Sequence, residues 1–535
     1  MSTSKVNTPP AALTAQPQIS SAGRFRFGAP SLADAVFVVL LLRCLQLGAT
    51  DFFNDPGTGW HLRTGSDIVA TGGVPRTDTY SHTRAGHQWV ETQWFADVLT
   101  SLTFSAGGYP LVALLTAILL AALFRWIYRT HMVNGGWPVI GLLTALIAAC
   151  AASGHFLARP LVASSIGVPL CFWWATQYAR GKIDNRRLCL LVPITAVWCN
   201  LHPGVLGGIA TVTLCGIGCF ANLLITGSGT ARSVMLRRGM VLLAVSTAMG
   251  AATLINPYGL EWHRWIVKLM GMGLLAQHIQ EWKPPVWTDV DTIAAATLVA
   301  AVVLGTAIRR RGTTPAEGLV ILFWLCQAPR SYRHLPLLAM ILAIQLGRIL
   351  ANVRVASPRL RRIGSRIPLF STDLRNAELR GGGVASAAIS VLLGALLIAG
   401  TTVPAIGLGI AGPPAKRYSA QAVDYLRANP PDGPIFNDIL YGGMLIRNVP
   451  DVPVFMDDRF GLYGESLLAN YVEVYDNPQN SAEKLFNDWW IDTVMIKAST
   501  RLCNWLADNP EWTEVYQDRI TAIYTRKPSP RGEHS

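Results

Sequence analysis

One stretch of this chain concentrates side chains able to move protons and hold sugars: Asp51, Asp55, Trp60, His61 and Arg63, then Asp78, Trp89, Glu91 and Trp94. A carboxylate such as Asp55 or Asp51 can serve as a general base or help hold a divalent cation. His61 and Arg63 follow on a short helix over 60–70, lying along a membrane interface. Plainer readings stand beside these. Asp55 precedes Pro56-Gly57 and suits a turn. Trp60, Trp89 and Trp94 serve as sugar-stacking platforms or as interfacial anchors. Further along, Arg159, His202, Glu281, Arg330 and Arg333 sit in short polar turns. Forked guanidinium donors suit a phosphate or pyrophosphate, although arginines between spans also snorkel to the surface.

The scaffold that must position these residues is hydrophobic. Of 535 residues, 51% are hydrophobic and 14% charged, where a soluble protein carries about a quarter charged. Windows nearly free of charge recur at about 18–20 residues, enough to cross a hydrocarbon core of roughly 30 Å. They lie over 32–50, 109–128, 137–155, 161–179, 187–201, 203–224, 239–255, 289–308, 315–329, 334–351 and 383–404. The expected class is a polytopic α-helical membrane protein of about eleven spans. Residues 1–30 are polar and lack the pattern of a removable signal, so they read as a disordered cytoplasmic N-terminus before an anchoring first span. Residues 31–405 form the transmembrane domain, with a large first outer loop over 51–108.

The net charge of +13 sits in short loops: Arg125/Arg129, Arg180/Lys182/Arg186/Arg187, Arg232/Arg237/Arg238, Arg309-Arg310-Arg311, and Arg348 through Arg380. Short basic loops mark the cytoplasmic side. They fall at every second gap, which sets the N-terminus inside and the C-terminus outside. Every chemically interesting turn then shares the outer face. No aromatic nucleic-acid-reading motif accompanies the charge, so nucleic acid is not an expected partner. Residues 413–528 form a distinct outer unit. Residues 413–535 hold 12 Lys/Arg against 17 Asp/Glu, and helical and strand patterns alternate. Helices are expected over 419–428 and 482–490, and strands over 434–437, 452–456, 493–497 and 520–525, a small α/β domain. Within it Asp457-Asp458-Arg459 reads as a capping, salt-bridged turn.

Several chemistries find no motif. HExxH and GxSxG are absent, and the outer unit over 413–528 contains no GxGxxG or P-loop. Of the nine cysteines, eight lie in apolar stretches without a CxxC pair, as packing residues would. A transporter would show related halves with broken helices deep in the bundle, whereas the polar residues here gather on one face.

The runs Asp55-Pro-x-x-x-Trp60-His61-Leu-Arg-x-Gly65, Gly73-Val-Pro75-Arg-x-Asp78-x-x-Ser81 and Trp89-Val-Glu91-x-Gln-Trp94 resemble bacterial polytopic membrane proteins related to the GT-C glycosyltransferases. That superfamily includes protein O-mannosyltransferases and aminoarabinose transferases. Trp198-Cys-Asn200-Leu-His202, Ile255-Asn-Pro-Tyr-Gly259, Glu281-Trp282-x-Pro284-Pro285, Arg333-His-Leu-Pro336 and Val454-Phe-Met-Asp457-Asp-Arg459 fit as well. The resemblance implies an enzyme of the bacterial inner membrane that moves a sugar from a polyprenyl-phosphate-linked donor on the extracytoplasmic face. It implies a catalytic carboxylate in the first outer loop, Asp55 by position and Asp51 next. Two departures stand out. Gly57 occupies a place where many relatives carry a second carboxylate, and Gln93 one where many carry Glu. The ligands of any metal are therefore left unassigned.

Overall fold

The computed structural model describes residues 31–48, 51–224, 230–308, 312–351, 372–381, 383–414 and 419–527. The readings of residues 1–30, of the arginines 309–311 and of the part of the last basic loop over 352–371 fall outside the described residues.

Helix occupies each hydrophobic stretch expected from the sequence. Four helices are long and apolar enough by themselves to cross a bilayer: Trp94–Val133, Pro138–His155, Thr230–Ala252 and Val290–Ile308. Val205–Ala221 and Pro315–Gln327 are apolar but shorter. The shortness of others has a visible cause in Leu335–Ile349, where every residue is buried. A helix wrapped by protein can end within the bilayer, because its terminal polar groups meet other protein. The chain is thus a mostly helical, multi-pass membrane protein with a small C-terminal sheet. Arg348, read as part of a basic loop, instead lies inside the bundle. It shares Glu317 with Arg180, at 3.1 and 2.7 Å, since a charge buried there needs a partner.

The first helix, α1 (Leu32–Gly48), leads into a tight turn and then α2 (Thr58–Thr71). The next, α3 (Trp94–Val133), is broken at Gly107 and Gly108, with Gly108 at φ +63° and Pro110 just beyond. Only glycine takes that backbone freely. The expected 51–108 loop is therefore largely helical, carrying α2 and the first turns of α3.

The C-terminal unit is built on a four-stranded sheet of order β1-β2-β4-β3. Strand β1 (Ile435–Asn437) runs parallel to β2 (Thr493–Lys497). β4 (Thr521–Arg526) is antiparallel to both β2 and β3 (Trp512–Gln517). Helices Phe460–Asp476, Pro478–Asp488 and Arg501–Asp508 cover it through a separate apolar core around Phe436, Phe455, Tyr471 and Phe486. Residues 452–456, expected as a strand, do not join the sheet. Val454 instead bonds Tyr80 and His82 of the first loop, each at 3.0 Å. Glycines bring the two parts together. A Cβ on Gly59 would stand 2.1 Å from the Gly443 carbonyl oxygen, so α2 lies directly on helix Ile439–Asn448.

Candidate active site

Where bundle, first loop and C-terminal unit meet, they enclose a cavity of about 530 Å³. Its wall is assembled from separate turns. The turn after α1 contributes Asp55. Trp60 and His61 come from the first turn of α2, and Glu91 from the segment before α3. Arg159, His202, Glu281 and Arg333 come from four turns between bundle helices, and Asp458 from the C-terminal unit. The backbone stitches these turns: Ala158 N–H donates to the Phe52 carbonyl at 2.9 Å, and Tyr332 N–H to that of Lys283 at 2.8 Å.

Arg159 stands at the centre. One guanidinium nitrogen lies 3.4 Å from Asp55 Oδ1 and the other 2.5 Å from Glu281 Oε1. Burial alone would raise the Glu281 carboxyl, but the charge and hydrogen bond of Arg159 hold it down at about 2. Arg333 Cζ stands over the Trp282 ring, 4.6 Å from its centroid, with no carboxylate at ion-pair distance among the described residues. The cavity thus presents an ionised Glu281 together with a cation able to receive an oxyanion.

His61 and His202 are neutral donors or acceptors rather than cations, because burial pulls both below the usual imidazole range. Nδ1 of His61 lies 2.6 Å from Asp97 Oδ1 on α3, which leaves Nε2 as the free ring nitrogen for proton chemistry. Nδ1 of His202 accepts from Gly204 N–H at 2.9 Å and contacts Ser164 Oγ at 2.7 Å. Its proton therefore sits on Nε2. Glu91 is buried, and burial, with Asp97 nearby, pushes its carboxyl up to about 8. It carries a proton at neutral pH.

Of the sequence candidates, Asp55, Trp60, His61, Glu91, Arg159, His202, Glu281 and Arg333 share this cavity. Four others stand apart from it. Asp51 is in the turn leaving α1. Arg63 pairs with Asp67 at 2.9 Å on another face of α2. Arg330 is exposed. Asp78 is buried under the first loop, where its carboxylate accepts from Arg459 at 2.7 Å and from Ser81 Oγ at 2.5 Å. That pairing fastens the loop to the C-terminal unit. Sequence reasoning passed over Asp97 and Asp458. Asp97 carried no signal, being one acid in a helix. Asp458 was visible within Asp457-Asp458-Arg459, but the salt-bridged turn belongs to its two neighbours.

Among the described residues, no three carboxylate, imidazole or thiol groups converge as metal ligands. Asp55 and Glu281 both face Arg159, whose guanidinium stands where a bridging cation would. These residues do not fit a divalent metal.

No protein-family model matches the chain, and no curated protein does. Solved structures do. The archaeal oligosaccharyltransferase AglB from Archaeoglobus fulgidus, in complex with an inhibitory peptide and a dolichol-phosphate, matches 93% of this chain and 74% of its own. The TM-score is 0.54 at 13% identity. The apo form of the oligosaccharyltransferase from that organism matches 87% of this chain and 69% of its own, with TM-score 0.52 and 13% identity. ArnT from Cupriavidus metallidurans, bound to undecaprenyl phosphate, covers 93% and 98% at 14% identity with TM-score 0.49. At such identities the likeness is one of fold: the chain shares the fold of these oligosaccharyltransferase structures.

Proposed function

We propose that the protein transfers a sugar from a polyprenyl-phosphate-linked donor to an acceptor hydroxyl at the extracytoplasmic face of the bacterial inner membrane. The chain crosses that membrane about eleven times. The observation that carries this reading is the grouping of Asp55, Arg159, Glu281 and Arg333 on one cavity at the end of the bundle. An acceptor hydroxyl is a poor nucleophile until a base takes its proton as it attacks the anomeric carbon. Asp55 is that base, worth roughly 10²–10⁴-fold. As the bond from that carbon to the phosphate breaks, negative charge grows on the lipid phosphate. Arg333 and Arg159 meet it in a site shielded from bulk water.

An apolar groove of about 340 Å³ supports the lipid part of the donor. It is lined by Trp287, Val299 and Val303 on one side and Leu325, Leu335 and Leu338 on the other. The segments that separate it from the cavity, 281–287 and 329–335, are bonded through Ser331 Oγ to the Glu281 carbonyl at 2.9 Å. A phosphate beside Arg333 can therefore send an isoprenoid chain into the groove. The AglB complex holds a dolichol-phosphate, a lipid phosphate of the kind this transfer would release.

The test is a strain lacking the protein, complemented with wild type or Asp55→Asn. Both the deletion and Asp55→Asn, at normal protein level, are expected to accumulate a lipid-linked sugar identified by mass spectrometry. Wild-type lipid profiles in the Asp55→Asn strain refute the reading.

A further inference from the structure

Asp457, Asp458 and Arg459 are consecutive, yet their side chains part. Asp457 is fully buried and accepts from Arg459 and from the Tyr463 hydroxyl, each at 2.7 Å. Asp458 turns the other way and lines the cavity, with Oδ1 accepting from Trp60 Nε1–H at 2.7 Å. Its Oδ2 fills the space over Gly57, 3.0 Å from where a Cβ on that residue would stand. His61 Cδ2 lies 3.2 Å from the same point. Gly57 is two residues beyond Asp55 and has no side chain to keep the two carboxylates apart. The C-terminal unit thus reaches over the first loop and sets a second carboxylate on the cavity that Asp55 lines.

We propose that Asp458 of the C-terminal unit acts on Asp55 of the first loop, its carboxylate across the same cavity strengthening the hold of Asp55 on the proton taken from the acceptor hydroxyl. This rests on the transfer reading above. In the step, the acceptor O–H bond breaks and its oxygen bonds the anomeric carbon. The bond from that carbon to phosphate breaks, its electron pair leaving on the lipid phosphate. The proton passes to Asp55, and Asp458 acts through Asp55 as a positioning residue.

Like charges in a shared buried site hold a proton more tightly than either alone. A base is most effective when its proton affinity lies near the working pH. Burial first, and the Asp55 charge second, push the Asp458 carboxyl up to about 7. The groups facing it are Asp55 from the loop, Trp60 and His61 from α2, Arg159 across the cavity, and Asp457 and Arg459 in its own segment. Arg459 is already engaged by Asp457 and Asp78.

The full chain in lipid vesicles is given donor lipid extracted from the deletion strain, with membranes of that strain as acceptor source. Release of lipid phosphate is followed between about pH 4 and pH 9. Wild-type activity is expected to rise with pH through a limb near 7. Asp458→Asn, which keeps an oxygen for the Trp60 N–H, is expected to lower the maximal rate roughly 10- to 100-fold. It also moves the limb toward acid, because the neighbouring carboxylate charge is gone. Wild-type behaviour of Asp458→Asn, or a lower rate with the limb unmoved, overturns the proposal. If Asp458→Asn does not fold, Gly57→Asp/Asp458→Ala decides by returning a carboxylate to the vacated space. A near-neutral limb supports the pairing, and a folded but inactive protein refutes it. Failure of the transfer reading itself looks different, because wild type then releases no lipid phosphate above protein-free vesicles.

Discussion

Arg159→Gln tests the electrostatic logic of the cavity most directly. Arg159 is the counter-ion of two carboxylates, and the Glu281 side chain is only 26% exposed, so solvent does little to replace it. Its charge and hydrogen bond bring Glu281 from 4.5 to about 2 against the opposing effect of burial. At about 1.4 kcal/mol per unit, the shift corresponds to about 3 kcal/mol. That agrees with the roughly 3–5 kcal/mol lost when one partner of a buried pair is removed. The sign follows from linkage. A carboxyl whose folded value lies below its unfolded value stabilises the fold fully above the unfolded value. The contribution is lost as pH falls through the folded one. The gap between wild type and Arg159→Gln is therefore widest near neutral pH, and narrows as pH drops from about 4.5 toward 2. Inactivation half-lives or denaturant midpoints in lipid nanodiscs measure it, paired with Glu281→Gln in a double-mutant cycle. Arg159→Gln/Glu281→Gln is expected to regain most of the stability but not the activity, because the phosphate still lacks its cation. Equal stability of Arg159→Gln and wild type at pH 7, or a double variant no more stable than Arg159→Gln, refutes the reasoning.

Two further tests use other parts of the molecule. Glu91 holds its proton up to about 8, so folding takes up a proton and stability falls as pH rises from about 4.5 to 8. Glu91→Gln mimics the protonated form. It is expected to be more stable than wild type at pH 7–8 and equal to it near pH 4, and parallel pH–stability curves for the two proteins exclude this. Arg459→Leu strands the buried Asp78 and Asp457 carboxylates without their cation, at a cost of roughly 3–5 kcal/mol. Limited proteolysis is expected to cut the first loop and C-terminal unit faster in that variant, and an unchanged digestion pattern counts against the clasp.

The bundle helices were legible because apolar runs without charge have few other uses. β2 (Thr493–Lys497) was legible because its run is β-branched and apolar. Residues 452–456 have the same appearance, yet they pair with Tyr80 and His82 rather than with the sheet. An extended run does not say which backbone will complete it. β3 (Trp512–Gln517) was missed because only Trp512 of its residues is fully buried, leaving little alternation to read.

The same division holds for the site. Which turns carry ionisable groups, and their common end of the bundle, follow from hydropathy and charge along the chain. Those are properties of local sequence, set by the cost of burying charge in lipid. Which of the groups meet depends on contacts between residues hundreds of positions apart, which no local pattern encodes. Asp78 and Arg330 looked as suitable as Asp55 and Arg333, and only packing put two of these four on the cavity. Asp458 looked like its neighbour Asp457. Opposite partners, Trp60 for one and Arg459 for the other, separate them. Close contact at Gly59 and Gly443 brings the C-terminal unit within reach of Asp55.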